Sequence, residues 1–207
     1  MNSGAMASGA RDRPTLTPKG QRTRARIVET AARLIYEQGV AGTTLDEVRA
    51  AAHVSGSQLS HYFAGKDELV QAVIDHQAGI IVGNQRQADL GTPEGLRAWR
   101  DTVIAQAKST QARGGCPLGS LGGQVAESDP HARALIAAGF RQWSAAMSDG
   151  LRDLHAAGHL PAGTDPDDLA LTLLAAVQGG LLLAQVQRDS RPLETAVDTL
   201  IALASRP

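Results

Sequence analysis

Apolar positions recur along most of the chain at helical spacing. Ile27, Ala31, Leu34 and Ile35 fall at i, i+4, i+7 and i+8, one stripe on a helix that runs from Pro18 to Gln38. Thr17 followed by Pro18 supplies an N-cap and a first turn, and Gly39 marks the position past the last one. Thr44 with Glu47 makes a capping box, with Leu45, Val48 and Ala52 behind it at helical spacing. Only His53 and Val54 separate that short helix from a second box, Ser55 and Gln58, ahead of Leu59 and Phe63. Two short helices joined so closely must cross steeply, as in a helix-turn-helix. After Ala64-Gly65 a longer helix restarts at Lys66-Asp67-Glu68, with its acids at the electropositive end, and carries Leu69, Val70, Val73, Ile74 and Ile81.

Breaks at Gly91-Thr92-Pro93, Gly114-Gly115, Ser128-Asp129-Pro130, 158–166 and 190–192 divide the remainder into helices near 93–112, 117–127, 130–157, 166–189 and 192–205. No segment has a strand pattern, so the expected fold is all-α. The helix over 166–189 is apolar nearly all round, through Leu169, Leu171, Leu173, Leu174, Val177, Leu181, Leu182, Leu183 and Val186. Such a helix must be covered both by its own domain and by something else. A second copy of the chain is the expected cover, and the core helix of a monomer is the alternative. Gly179-Gly180 in mid-helix implies close backbone approach. Thr172, Gln178 and Gln185 interrupt this run short of the roughly 20 apolar residues of a membrane span, so no membrane partner is expected.

Charge sharpens this picture. Up to Lys66 there are nine Lys/Arg against five Asp/Glu, and afterwards eleven against sixteen. Arg11, Arg13, Lys19, Arg22, Arg24 and Arg26 are opposed only by Asp12. Such a segment favours a polyanion, because each cation placed on phosphate releases counterions; a solvated basic tail is the alternative. The first ten residues, MNSGAMASGA, have neither the basic nor the apolar region of a secretion signal; 1–16 reads as a disordered leader, and for the first ten residues a cloning remnant is the alternative. The single cysteine in 207 residues, Cys116, excludes an internal disulfide and points to a reducing, cytoplasmic setting.

Candidate chemistry is sparse. Of six aromatic residues, Trp99, Phe140 and Trp143 fall in the second part. Phe140, Trp143 and Met147 share one helix face, and Trp99 shares another with Val103; both faces suit either plain core or the wall of an apolar cavity. Cys116, between Gly115 and Pro117, falls at a helix N-cap, a location that can lower a thiol pKa and raise its reactivity; inert packing is the alternative. His155 and His159 are four apart, but Gly158 intervenes and no third ligand is evident. No metal or cofactor is expected, and no catalytic constellation appears: there is no P-loop, CxxC pair or nucleophile elbow.

Several segments, taken together, resemble the TetR-type one-component transcriptional regulators. They are Thr23-Arg24-Ala25-Arg26-Ile27, Gly39-Val40, Thr43-Thr44-Leu45-Asp46-Glu47-Val48, Val54-Ser55, Leu59-Ser60-His61-Tyr62-Phe63 and Gly65-Lys66-Asp67-Glu68-Leu69, in the family's order and spacing. The resemblance covers about the first 70 residues. It implies an N-terminal three-helix helix-turn-helix DNA-binding domain, 17–65, and a C-terminal helical ligand-binding and dimerisation bundle, 66–207. His53 stands where the family has a turn glycine, a position that needs positive φ, and Ser60 stands where it has a tyrosine.

On this resemblance Ser55, Gly56, Ser57, Gln58 and His61 face base edges, with Gln58 shared between adenine and its own capping box. His61 and Tyr62 reach phosphate or a thymine methyl, and Thr44 and Lys66 reach phosphate. Trp99, Val103, Cys116, Leu118, Phe140, Trp143, Met147 and Gln178 line a pocket for a small hydrophobic effector. Gly-Cys-Pro-Leu-Gly-Ser is similar to a segment of some members in which a cysteine lies near that pocket. Leu174, Gly179, Gly180, Leu182, Leu183 and Leu200 form a homodimer interface, which makes the double-stranded DNA operator a palindrome. The implied function is a ligand-released repressor; a small all-helical enzyme and a nonspecific architectural DNA binder are the rival readings.

Overall fold

Nine helices make up the described part of the protein, residues 16–204 of a computed structural model. They are α1 (Pro18–Gly42), α2 (Leu45–Ala51), α3 (Gly56–Tyr62), α4 (Lys66–Gln87), α5 (Pro93–Ser109), α6 (Pro117–Val125), α7 (Pro130–Ala156), α8 (Pro166–Gln187) and α9 (Arg191–Ala204). No strand occurs among the described residues, so the all-α expectation holds. The leader expected over 1–16, with Arg11 and Arg13, lies outside the described residues except for Leu16.

Local chemistry sets the helix starts. Thr17 Oγ1 accepts from the Gly20 amide at 3.2 Å. Both halves of the two capping boxes close: Glu47 N donates to Thr44 Oγ1 and Thr44 N to Glu47, and Gln58 N donates to Ser55 Oγ while Ser55 N donates to Gln58 Oε1. Proline occupies the first turn of α5, α6, α7 and α8 as well as α1. Gly39, at φ 80°, breaks α1 where a stop is expected, yet the chain takes one more turn to Gly42. His53 adopts φ 51° in the α2–α3 turn, so a side chain sits where the resemblance implies glycine.

Ile27, Ala31, Val48, Leu59 and Phe63 close a small core against Leu69 and Val70 at the start of α4. The rest of α4 leaves this unit and packs along α7; α8 lies between α7 and α9. Arg100 of α5 holds Asp198 of α9 through two charge-assisted bonds of 2.6 Å each, tying α5 to the last helix. The same guanidinium keeps the Asp198 carboxyl below the ordinary carboxylate range.

The inward face of α8 carries Leu173, Leu174, Val177, Gly180 and Ala184. Leu174 and Gly180, expected at a subunit interface, therefore belong to this subunit's own core. At Gly180 a Cβ would stand 2.7 Å from the Leu193 Cα of α9, and this crossing is the close approach that glycine permits. The outward face keeps Leu171 (58% exposed), Leu182 (61%), Leu183 (49%) and Val186 (74%) in solvent, with Gly179 among them and Leu203 of α9 alongside. Leu200 is half-buried. Contrary to the sequence reading, α8 is long and apolar enough by length and composition to cross a membrane. Its inner face is nevertheless packed in the bundle.

Gly180→Ala is expected to lower stability by about 1–3 kcal/mol, because the obstacle is α9 backbone and cannot move like a side chain. Gly79→Ala, on the exposed face of α4 with nothing near the added methyl, is expected to raise stability by up to about 1 kcal/mol. Thermal or urea unfolding of both variants checks the pair.

Candidate functional site

Two surfaces carry candidate chemistry. The first is the outer edge of α2 and α3. Thr44, Ser55, Gly56, Ser57, Gln58 and His61 are exposed, and Tyr62 and Lys66 are half-buried beside them. Leu59 and Phe63 anchor α3 from beneath, which leaves its N-terminal turn facing out. His61 and Tyr62 meet edge to face at 5.0 Å, and the Arg24 guanidinium lies 5.2 Å over the Phe63 ring. The Gln58 oxygen accepts from the Ser55 amide at 2.9 Å, which leaves its second lone pair and the side-chain nitrogen for a two-point contact with adenine. Lys19, Arg22, Arg26 and Lys66 hold no ion pair among the described residues. Their charge is available to an outside anion.

The second is a partly open cavity of about 710 Å³ in the body. It falls within the roughly 300–1,000 Å³ usual for small-molecule sites. Ile80 and Ile81 of α4, Trp99 and Val103 of α5, Trp143 of α7 and Val177 and Leu181 of α8 make its apolar walls. Asp89 and Arg113 are the charged residues in its lining. Four of the eight residues expected at a pocket meet here: Trp99, Val103, Cys116 and Trp143. The other four do not. Leu118 and Met147 are fully buried core, Phe140 stacks behind Trp143 at 6.4 Å, and Gln178 presses against Gly119 of α6.

Sequence reasoning missed Tyr36 of α1 and Gln85 of α4. Gln85 had a visible signal, a polar residue continuing the buried stripe of Ala78 and Val82. Its Oε1 accepts from Trp99 Nε1 at 3.0 Å and from Trp143 Nε1 at 3.1 Å. Tyr36 had none, because its partner lies 77 residues away: its hydroxyl donates to the Arg113 carbonyl at 3.0 Å. Nearby, the Val40 amide donates to Gln124 Oε1 of α6 at 2.7 Å. The loop that meets Tyr36 is wound tightly, with Gln111 and Ala112 at φ 53° and 55° and Gly114 and Gly115 also positive. The Tyr36 contact joins the helix-turn-helix unit to the cavity wall, and the Val40 contact joins it to α6.

Known proteins match both parts of the chain. Residues 27–73 match the family described as bacterial regulatory proteins, tetR family, and residues 92–200 match a tetracyclin repressor-like C-terminal domain. An uncharacterized HTH-type transcriptional regulator of Mycobacterium tuberculosis is 30% identical over 183 residues, covering 84% of this chain and 90% of that protein. The crystal structure of regulatory protein TetR from Rhodobacter sphaeroides has a TM-score of 0.78 at 24% identity, over 87% of this chain and 98% of that one. SmeT, the repressor of a Stenotrophomonas maltophilia multidrug efflux pump, gives 0.67 at 25% identity over 90% and 92% of the two chains, and its complex with triclosan is also a neighbour.

Cys116 caps α6 as expected, its sulfur accepting from the Gly119 amide at 3.4 Å. The lowered thiol pKa expected from that position does not follow. Burial pushes the thiol up, and this outweighs the favourable bond from Gly119. At neutral pH Cys116 is therefore expected to react with iodoacetamide more slowly than free cysteine, with a rate that climbs only above the ordinary thiol range. Mass-spectrometric labelling across pH checks this; a midpoint below the free-thiol value contradicts it.

Proposed function

Because this chain belongs to the TetR family of bacterial transcriptional regulators, we propose that it acts as a cytoplasmic homodimeric repressor, released from a palindromic operator by a small hydrophobic effector. The observation that carries this reading is the continuity between the two candidate surfaces. One helix, α4, starts beneath the exposed α3 and ends in the cavity wall, and Tyr36 of α1 is itself a cavity residue.

On DNA, the N-terminal turn of α3 enters the major groove with Gly56, Ser57, Gln58 and His61 toward bases. Thr44, Tyr62 and Lys66 take phosphate, joined by Lys19, Arg22 and Arg26 of α1. The outer stripe of α8, through Leu171, Gly179, Leu182, Leu183 and Val186, pairs with the same stripe of a second copy, extended by Leu200 and Leu203 of α9. That pairing covers an apolar face which a lone subunit leaves in water, and it sets the two α3 helices one DNA turn apart. The triclosan held by SmeT supports a small molecule as the cavity's occupant.

An effector in the cavity presses on α4 and on the α5–α6 loop together. Displacing that loop pulls on Tyr36 through Arg113, and displacing α6 pulls on Val40 through Gln124. Both bonds end on α1, which carries the small core under α3. Release then needs only a state of the body that holds the α3 pair out of register.

Selection of genomic DNA by the purified protein, followed by release on ligand addition, tests the whole reading; enrichment without a repeated half-site contradicts it. Leu182→Arg is expected to give a folded monomer in sedimentation, with operator affinity reduced at least about a hundredfold. Lys66→Ala is expected to weaken all DNA sequences alike and to flatten the log–log salt slope by about 1 per subunit. Tyr36→Phe is expected to leave operator binding within about threefold while raising the effector concentration needed for release, as a titration of DNA release reads directly.

A further inference from the structure

We infer that the cavity selects apolar molecules that present a hydrogen-bond acceptor of the carbonyl type, and that Gln85 is the residue that selects them. The inference rests on reading the cavity as a ligand site and adds to it a chemical class.

A glutamine side chain is ordinarily indifferent to polarity, because its amide turns over to offer oxygen or nitrogen. Gln85 has lost that freedom. Trp99 Nε1 and Trp143 Nε1 lie 3.0 and 3.1 Å from the same terminal atom. An indole N–H only donates, so that atom must be the oxygen, and turning the amide would set an NH2 group against two N–H groups. Two donors from different helices also occupy both lone-pair directions of the oxygen. What remains for any newcomer is the nitrogen.

That nitrogen has no partner. Gln85 is 4% exposed, and its Nε2 is buried with no hydrogen bond to the protein. Buried polar groups are normally paired, and an unmet donor is costly to leave so. Gln85 forms part of the cavity wall together with Trp99 and Trp143, and the apolar Val103 and Leu181 line the same space. Nε2 is itself sealed from the cavity as it stands, so a ligand oxygen on an apolar frame satisfies it by displacing the side chains that cover it, and buries its frame at the same time. A cationic amine would meet a donor with a donor. A pure hydrocarbon would gain the apolar wall but leave Nε2 unmet. The fixed amide therefore discriminates by sign of the hydrogen bond rather than by size.

Three probes of nearly equal shape separate these cases: 2-acetylnaphthalene, 2-isopropylnaphthalene and 1-(2-naphthyl)ethylamine. Binding to the full-length protein is measured by calorimetry, with tryptophan emission as the reporter of location, because both tryptophans of the chain stand on this wall. The ketone is expected to bind about tenfold more tightly than the hydrocarbon and more tightly than the amine. In Gln85→Glu, which keeps an oxygen for the indoles and replaces the NH2, the amine is expected to overtake the ketone; in Gln85→Met the ketone is expected to lose its advantage. Equal binding of all three to the unaltered protein overturns the inference while leaving the cavity as a ligand site. So does a ketone preference that survives both substitutions. Failure of all three to bind overturns the ligand-site reading as well. The comparison within the unaltered protein needs no variant to fold.

Discussion

The helix α4 is buried by different neighbours along its length, and this double burial organises the molecule. Its first turns put Leu69 and Val70 into the core beneath α3, while Ala78, Val82 and Gln85 lie against the body. Over 22 residues it spans about 33 Å without an interior proline. A helix is stiff on that scale, so displacement at one end is carried to the other rather than absorbed. Gly79 and Gly83 cost it some intrinsic stability, which the packing on α7 offsets.

A rigid rod alone leaves the small unit free to swivel around it. The bonds from Tyr36 to Arg113 and from Val40 to Gln124 supply a second attachment on α1. Both depend on backbone that most residues adopt poorly. Gly114, at φ 80°, lies so close to Tyr36 that a Cβ there would overlap its hydroxyl, and Gly39, also at φ 80°, admits Gln124 beside Val40. Ala112 sits at φ 55° without the freedom of glycine. Strain of this kind persists where surrounding contacts fix it, and here those contacts run between the body and the helix-turn-helix unit.

Polarity inside the body is scarce, which gives the few buried polar groups their weight. The Gln85 amide is oriented by two indoles, and the Cys116 thiol is kept protonated by its surroundings although it caps a helix. In water a glutamine turns over and a capping thiol ionises more readily. Removed from water, each is confined to one state by what it touches.

The order and limits of the helices were legible in the sequence because caps, prolines and glycine breaks act over three or four residues. Thr44 with Glu47 and Ser55 with Gln58 are contacts of neighbours in the chain, whereas the positive φ at His53 followed only from the place that the family resemblance gives it. The exposed edge of α3 was legible for the same reason, since Leu59 and Phe63 fix which side of a seven-residue helix is inside. Where periodicity is absent, the sequence was mute. An all-round apolar α8 does not reveal that Leu174 and Gly180 turn inward while Leu182 and Leu183 turn out; the crossing with Leu193 decides it. Nor does spacing separate cavity wall from core: Trp143 and Met147 share a face of α7, yet one borders the cavity and the other is sealed. The attachment of Tyr36 and the fixed amide of Gln85 join residues 77 and 58 positions apart, and only the packing of whole helices brings such groups within bonding distance.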